Sequence, residues 1–222
     1  MSRMRCRLGL ALLFVAGIGQ PVLLPAQSCD HPGSKRWALK TSLKPGASPA
    51  RRGDFVALDD LLSLPDPPNA DDLDHAAFSA TLAPPFSNSL HLKEGDVVEV
   101  AGWIHLIALE PDGDYHIQMT ASRTDGNHNL IVEVPCATFV PSARLRSRVA
   151  DVRAFVLNDL LHGLGPGQDG RVLSPARFVR LRGQLFYDAN HFRGEPRGKK
   201  GMKAATIWEV HPVIAMWFAA PP

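Results

Sequence analysis

Two short stretches of this chain set an imidazole beside a carboxylate at strand-like spacing. They are Asp114-Tyr115-His116-Ile117-Gln118 and Trp208-Glu209-Val210-His211. In each, polar and apolar residues alternate with a period of two, so one parity faces a core and the other projects from the opposite face of a sheet. Imidazole with carboxylate suits zinc, manganese or iron. His116, Asp188, His191 and His211 are the candidate metal ligands, and a metal held by three protein groups keeps an open position that activates water. In such a site Glu209 or Asp188 serves as ligand or general base, and His116 as ligand or acid. The spacings match no recognised metal signature, and His and Glu on an outward strand often only hydrogen-bond each other. Coordination, a structural polar network and ligand binding without metal therefore all stay open. Convergence of these side chains within about 5 Å would favour coordination, because metal bonds are only about 2 Å long.

A second chemistry lies in the segment from Asp188 to Lys203. It opens with Asp188 and His191 and continues with Arg193, Arg197, Lys199, Lys200 and Lys203 interleaved with glycine. Glycine lets a backbone approach an anion closely while the cations supply the field, so the segment reads as a phosphate or sulfate loop; a solvated flexible loop is the alternative. It lacks the Gly-Lys-Ser/Thr ending of a nucleotide P-loop. No Ser sits in a Gly-x-Ser-x-Gly elbow, so no covalent nucleophile is visible.

The elements that must position these residues are mostly strands. Val97 to Leu109 is a long strand with Gly102 inside it, where a bend or bulge fits. Tyr115 to Ala121 and Leu130 to Pro135 complete a meander, with turns at Pro111-Asp112-Gly113 and Asp125-Gly126-Asn127. A helix follows, with Ser142 as N-cap, an apolar stripe of Leu145, Val149, Val152, Val156 and Leu160, and Gly163 as its stop. Arg144, Arg146, Arg148 and Arg153 fall mostly off that stripe, in water. A Gly-rich loop from Gly163 to Gly170 leads to a fourth strand, Phe178 to Tyr187, and the basic loop leads to a fifth, Thr206 to Phe218.

Three strands, a helix and two strands, with a bent first strand, is the order of an OB-fold barrel; an open α+β sheet on the same helix is the alternative. The expected fold is thus mainly β with one long helix, a five-stranded OB-like barrel over 93–222. In that strand order the second strand neighbours the third and the third neighbours the fifth. With the apolar set buried, His116, Gln118, Glu133, Glu209 and His211 form an outward polar patch. Residues 27–92, rich in Pro, Gly and Asp, read as an extended arm too poor in apolar residues for its own core. Within it Trp37-Ala38-Leu39-Lys40-Thr41 suggests a short strand and Leu58 to Leu64 one or two helical turns.

Residues 1–26 read as a signal peptide: Arg3, Arg5 and Arg7, an apolar run from Leu8 to Gly19, then Leu24-Pro25-Ala26 as a cleavage site, with an N-terminal membrane anchor as the alternative. No later run is long enough to span a bilayer. The expected location is secreted or periplasmic; lipoprotein anchoring at Cys29 is a weaker reading, since Ala26 stands where a lipobox usually has Leu. Export leaves two cysteines, Cys29 and Cys136, whose expected disulfide would close a loop of about a hundred residues and contribute roughly 4 to 5 kcal/mol in the chain-entropy model. Two unrelated thiols are the alternative. No Cys-x-x-Cys is present, which argues against a redox motif or a cysteine zinc site. Without the leader's three arginines, 21 basic residues face 22 acidic ones. Acids outnumber bases 16 to 8 up to Cys136, and bases lead 13 to 6 after it. Such a chain can bind an anion locally but lacks the overall positive field of a dedicated nucleic-acid binder.

Cys29 with Trp37 to Thr41, Asp112 to Ile117, Ile131 to Pro135, Gly183 to Asp188 with His191, and Trp208 to Val213 together resemble a group of uncharacterised secreted bacterial proteins. The resemblance covers nearly the whole chain after the leader. In that group the Asp-x-His, Phe-x-Asp-x-x-His and Glu-x-His-Pro elements recur together, which implies one shared site. The lysine-rich insertion before the last strand departs from many of its members. The resemblance implies no particular reaction.

The functional expectation is a binding module that takes an anionic ligand, an oligosaccharide or nucleic acid, through Gln118, Glu133, Arg193, Arg197, Lys199, Lys200 and Lys203. Nucleic acid is the less favoured of the two, because single-strand sites usually expose several aromatics and Phe192 is the only one in the loop. The rival is a metal-dependent hydrolase, a phosphodiesterase or nuclease, built on the His/Asp/Glu cluster. A structural envelope protein is the third reading.

Overall fold

The computed structural model describes residues 29–33, 35–45, 47, 54–73, 80–192 and 197–222. The leader and Arg193 lie outside them. Five strands carry the fold: β2 (Val97–Leu109), β3 (Tyr115–Thr120), β4 (Asn129–Val134), β5 (Arg171–Tyr187) and β6 (Ala204–Phe218). A two-residue strand, β1 (Asp54–Phe55), runs parallel to the start of β2. The lateral order is β2-β3-β4-β6-β5, and β2 pairs again with β5, which closes a five-stranded barrel of OB-like connectivity. All pairings around it are antiparallel except β4 with β6.

Alternation explains the barrel's interior. Ile117, Met119, Val132, Val134, Leu181, Leu185, Tyr187, Trp208 and Val210 share one parity and lie in one apolar cluster. Close approach of neighbouring strands needs Gly102, where a Cβ would sit 2.7 Å from Met119 Cγ and 2.8 Å from Thr120 O. The register irregularity in β2 falls just beyond it, between Ile104 and Leu106. Helix α3 (Ala143–Phe155) runs on as a π-helical turn, Val156–Leu160. Ser142 caps it by accepting from the Leu145 N–H, satisfying one of the orphan donors of the first turn. Its stripe of Leu145, Val149, Val152, Val156 and Leu160 is buried, and it packs on β4 and β6.

Several expectations need correction. Trp37–Lys40 is a helical turn, α1, and not a strand. Helical spacing places Arg36 and Lys40 on the same side, both over the Phe186 ring. Strand β5 begins at Arg171, because residues 171–172 pair with Leu106 and Ile107 of β2 across the irregularity. Pro175 is tolerated there, since it lies in the unpaired stretch between those two pairings. Arg153 does not stay in water: its guanidinium stacks 3.8 Å from the Tyr115 ring centre and donates to the carbonyls of Gly113, Val134 and Pro135, sealing one end of the barrel.

The segment before β2 has little regular structure among its described residues. It carries α1 and α2 (Leu58–Leu62) and is joined to the barrel by the Cys29–Cys136 disulfide. Gly113, with φ +84°, turns directly under that bridge; a Cβ there would lie 2.6 Å from Cys29 Sγ. Among the described residues no helix is long and apolar enough to cross a membrane.

Candidate functional site

The outward parity of the strands does carry the polar set. On β3 and β4, His116 lies directly opposite Glu133. On β4 and β6, Ile131 aligns with Glu209 and Val132 with Val210, so the next outward residues, Glu133 and His211, are neighbours. Asp114 immediately precedes β3 on the same parity. Its Oδ1 accepts from the Cys136 N–H at 2.9 Å, which ties it to the disulfide corner.

The patch is not an open surface, however. His116, Gln118, Glu133, Asp188, Glu209 and His211 are all buried, and His211 and Glu209 are 0 % exposed. Arg36 and Lys40 of the arm and residues 197–203 lie over the sheet's outer face. Strand parity selects the side of the sheet on which a residue lies; it cannot report that a chain segment with no periodicity of its own will fold over that side.

Two groups form under this cover. In the first, His211 sits among three carboxylates: its Nε2 is 3.4 Å from Asp114 Oδ2, and its Nδ1 is 3.1 Å from Glu133 Oε2 and 3.6 Å from Glu209 Oε2. Glu133 turns its other oxygen to His116 Nδ1, at 3.1 Å. The donor atoms of Asp114, Glu133 and His211 all lie within 4.8 Å of one another, so this triad could hold a metal ion. In the second group Arg197 bridges Asp188 and Glu209 and donates to the Thr206 carbonyl. Among the described residues His191, a candidate ligand, pairs with Asp188 alone, at 3.5 Å, with its side chain 43 % exposed. The four proposed ligands are therefore divided: His116 and His211 meet around Glu133, while Asp188 and His191 belong to the arginine bridge. Asp114, absent from the expected ligand set, takes part in the first group.

Electrostatics follow from burial and mixed charge. Burial pushes the Asp114 carboxyl up, and burial with the Glu209 charge pushes Asp188 up. Burial alone would lower His211, but Asp114, Glu133 and Glu209 hold its imidazole well above the usual range. Burial would raise Glu133, yet His116, His211 and Lys40 keep it well below an ordinary glutamate. Burial would likewise lower the Lys40 ammonium, and Asp188, Glu133, Glu209 and Asp114 together raise it. Lys40 thus acts as a counter-ion to the whole layer, with no ion pair inside 4 Å among the described residues.

The basic loop is largely occupied by its own protein. Arg197 is taken up by two carboxylates. Lys199 Nζ meets Glu110 at 3.1 Å, and its backbone N–H donates to Gln118 Oε1 at 2.6 Å. Gln118, 0 % exposed, also donates to the Met202 carbonyl, so it fastens the loop to the sheet. Lys200 and Lys203 are exposed. His105, on β2, is bonded through Nε2 to the Ser122 carbonyl at 2.8 Å.

A cleft of about 740 Å³ opens between the arm, the outer face and this loop. Its walls combine Lys40, Arg197, Lys199, His31, His116 and His191 with Glu110, Asp112, Glu133 and Asp188. Sequence reasoning missed the latch beside it. Arg36, left-handed at φ 52°, forms a two-pronged pair with Glu94 at 2.7 and 2.8 Å and donates to the carbonyls of Tyr187 and Thr81. Glu94 in return accepts from the Ala83 and Tyr187 N–H groups. No protein-family model matches this chain, and neither a curated protein nor a solved structure does.

Proposed function

We propose that this protein is a binding module whose ligand is a small acidic oligosaccharide, held in the cleft between the arm, the barrel and the β5–β6 loop. The observation that carries this reading is the composition of the cleft walls. Cations and imidazoles stand beside carboxylates, and among the described residues no Phe, Tyr or Trp lines the cavity. Carboxylates accept from sugar hydroxyls, while Lys40 and Lys199 offer charge-assisted bonds to an acid group. A single-stranded nucleic acid would want aromatic platforms for its bases, so the same walls disfavour it.

Export belongs to the reading. A leader at residues 1–26 would deliver the chain to an oxidising compartment, where a disulfide such as Cys29–Cys136 persists. Metal-dependent hydrolysis is less well supported. It would need an open coordination position facing substrate, whereas Asp114 and His211 are 1 % and 0 % exposed and do not line the cleft.

Calorimetric titration with a uronic-acid oligosaccharide, its neutral counterpart and a single-stranded oligonucleotide tests the reading. The acidic sugar is expected to bind tightest. Lys199→Ala and Lys40→Met should each weaken it roughly ten- to a hundredfold, the equivalent of one charge-assisted hydrogen bond. Binding to none of the three, or tighter binding of the oligonucleotide, would overturn the proposal.

A further inference from the structure

Four buried polar atoms on and around the His211 ring, beneath the cleft, lack a hydrogen-bond partner among the described residues. They are Asp114 Oδ2, Glu209 Oε2 and both ring nitrogens of His211. Buried polar atoms in folded proteins almost always find a partner, and each orphan costs about 1–3 kcal/mol. Here the atoms lie 3.1 to 3.6 Å from their neighbours yet are not aligned as donors and acceptors. One ligand atom from each of Asp114, Glu133 and His211 lies within 4.8 Å of the others, close to the roughly 3 to 3.5 Å between donors that metal bonds of about 2 Å require. Charge leads to the same conclusion. Asp114, Glu133, Asp188 and Glu209 bring four carboxylates into the layer. Lys40 and Arg197 are the fixed cations that face them, with His211 a third when protonated, so carboxylates still outnumber cations in the layer.

We propose that Asp114, Glu133 and His211 form an enclosed site for one divalent first-row cation, zinc or manganese. One imidazole with two carboxylates and no thiolate suits those ions and disfavours soft ones such as Cu(I). The three ligands come from different places around the barrel wall: the turn before β3, strand β4 and strand β6. A bound ion therefore ties three segments together, and its binding free energy becomes folding free energy. Glu209, 3.6 Å from His211 Nδ1, stands by as a fourth ligand and third oxygen donor. The site is structural and not catalytic, because both Asp114 and His211 are closed off from the cleft. Glu133 belongs to both places, so occupancy would also fix one carboxylate of the cleft wall. This inference is independent of what the cleft binds.

The test is elemental analysis of the full chain purified without chelator, followed by stripping and refilling. About one equivalent of zinc or manganese per chain is expected. Stripping should lower the unfolding midpoint, and zinc or manganese at about a hundredfold excess over its dissociation constant should restore roughly 5–10 °C. His211→Gln should abolish retention, while Asp188→Asn, across the arginine bridge, should keep it. A chain that carries no stoichiometric metal and whose midpoint neither zinc nor manganese raises would overturn the proposal, whether or not the variants fold. So would full retention in a folded His211→Gln protein.

Discussion

Inside the barrel, Trp208, Tyr187, Ile117 and Val132 lie in one apolar cluster. One residue to either side, on the outside, Glu209, Asp188, His116 and Glu133 meet through hydrogen bonds and ion pairs. Both sides are buried, so solvent does not distinguish them. They differ in what burial demands. An apolar side chain needs only volume and contact, and its neighbours can adjust. A buried charge needs a specific partner, and removing that partner leaves a charge with nowhere to go. The inner layer therefore supplies most of the stability, while the outer layer decides which segment may lie over the sheet. Arg36 illustrates the second role: with Glu94 and two backbone carbonyls as partners, it admits one placement of the arm.

The sharpest way to break this comparison is to remove volume from the inside. Trp208 is 0 % exposed, stacks edge-on with Tyr187 at 4.9 Å and donates to the Pro65 carbonyl. Trp208→Ala should cost about 4–5 kcal/mol, the upper range for buried aromatic truncations, read as a fall in the denaturant midpoint. A loss below about 1 kcal/mol would mean that the interior is not what holds the barrel.

Next comes the latch. Arg36→Met leaves Glu94 buried with only its backbone donors and should cost about 3 kcal/mol. In a double-mutant cycle with Glu94→Gln, the two losses should fall short of adding by more than about 1 kcal/mol, because the second change removes the stranded charge. Simple additivity would show that the two residues act separately and that the outer layer is no more directional than the inner one.

Much of the inner layer was legible in the chain. Alternating aliphatics mark β2, β3, β4 and β6, Ser142 marks the start of α3, and strand order with parity brings Glu133 beside both His116 and His211. The start of β5 was hidden by Pro175, which usually argues against a strand interior. The cover was hidden for a different reason. The partners of Arg36 lie 58 and 151 positions away, and nothing in an aperiodic arm encodes such pairings. The basic loop misled through its own composition. Arg197 looks like a cation offered to a ligand until the fold places Asp188 and Glu209 against it, 9 and 12 residues away. Parity could locate the acids and imidazoles on the outer face, but only the packing shows which charges are already spent.

The smallest expected effect sharpens the contrast at the cleft rim. Lys199 and Glu110 pair at 3.1 Å with side chains 27 % and 26 % exposed, so water still screens them. Lys199→Ala should therefore change the denaturant midpoint by the equivalent of less than about 1 kcal/mol, against about 3 for the enclosed Arg36. If both fall within that prediction, charge on this face is ranked by burial: deep pairs fix the arm, and rim cations remain adjustable by whatever enters the cleft. A large loss at Lys199 would place its ammonium among the structural charges and leave Lys40 as the principal cation of the cleft wall. The stability measurement thus determines how a weakened titration of the same variant must be read, as a lost ligand contact or as a loop no longer held in place.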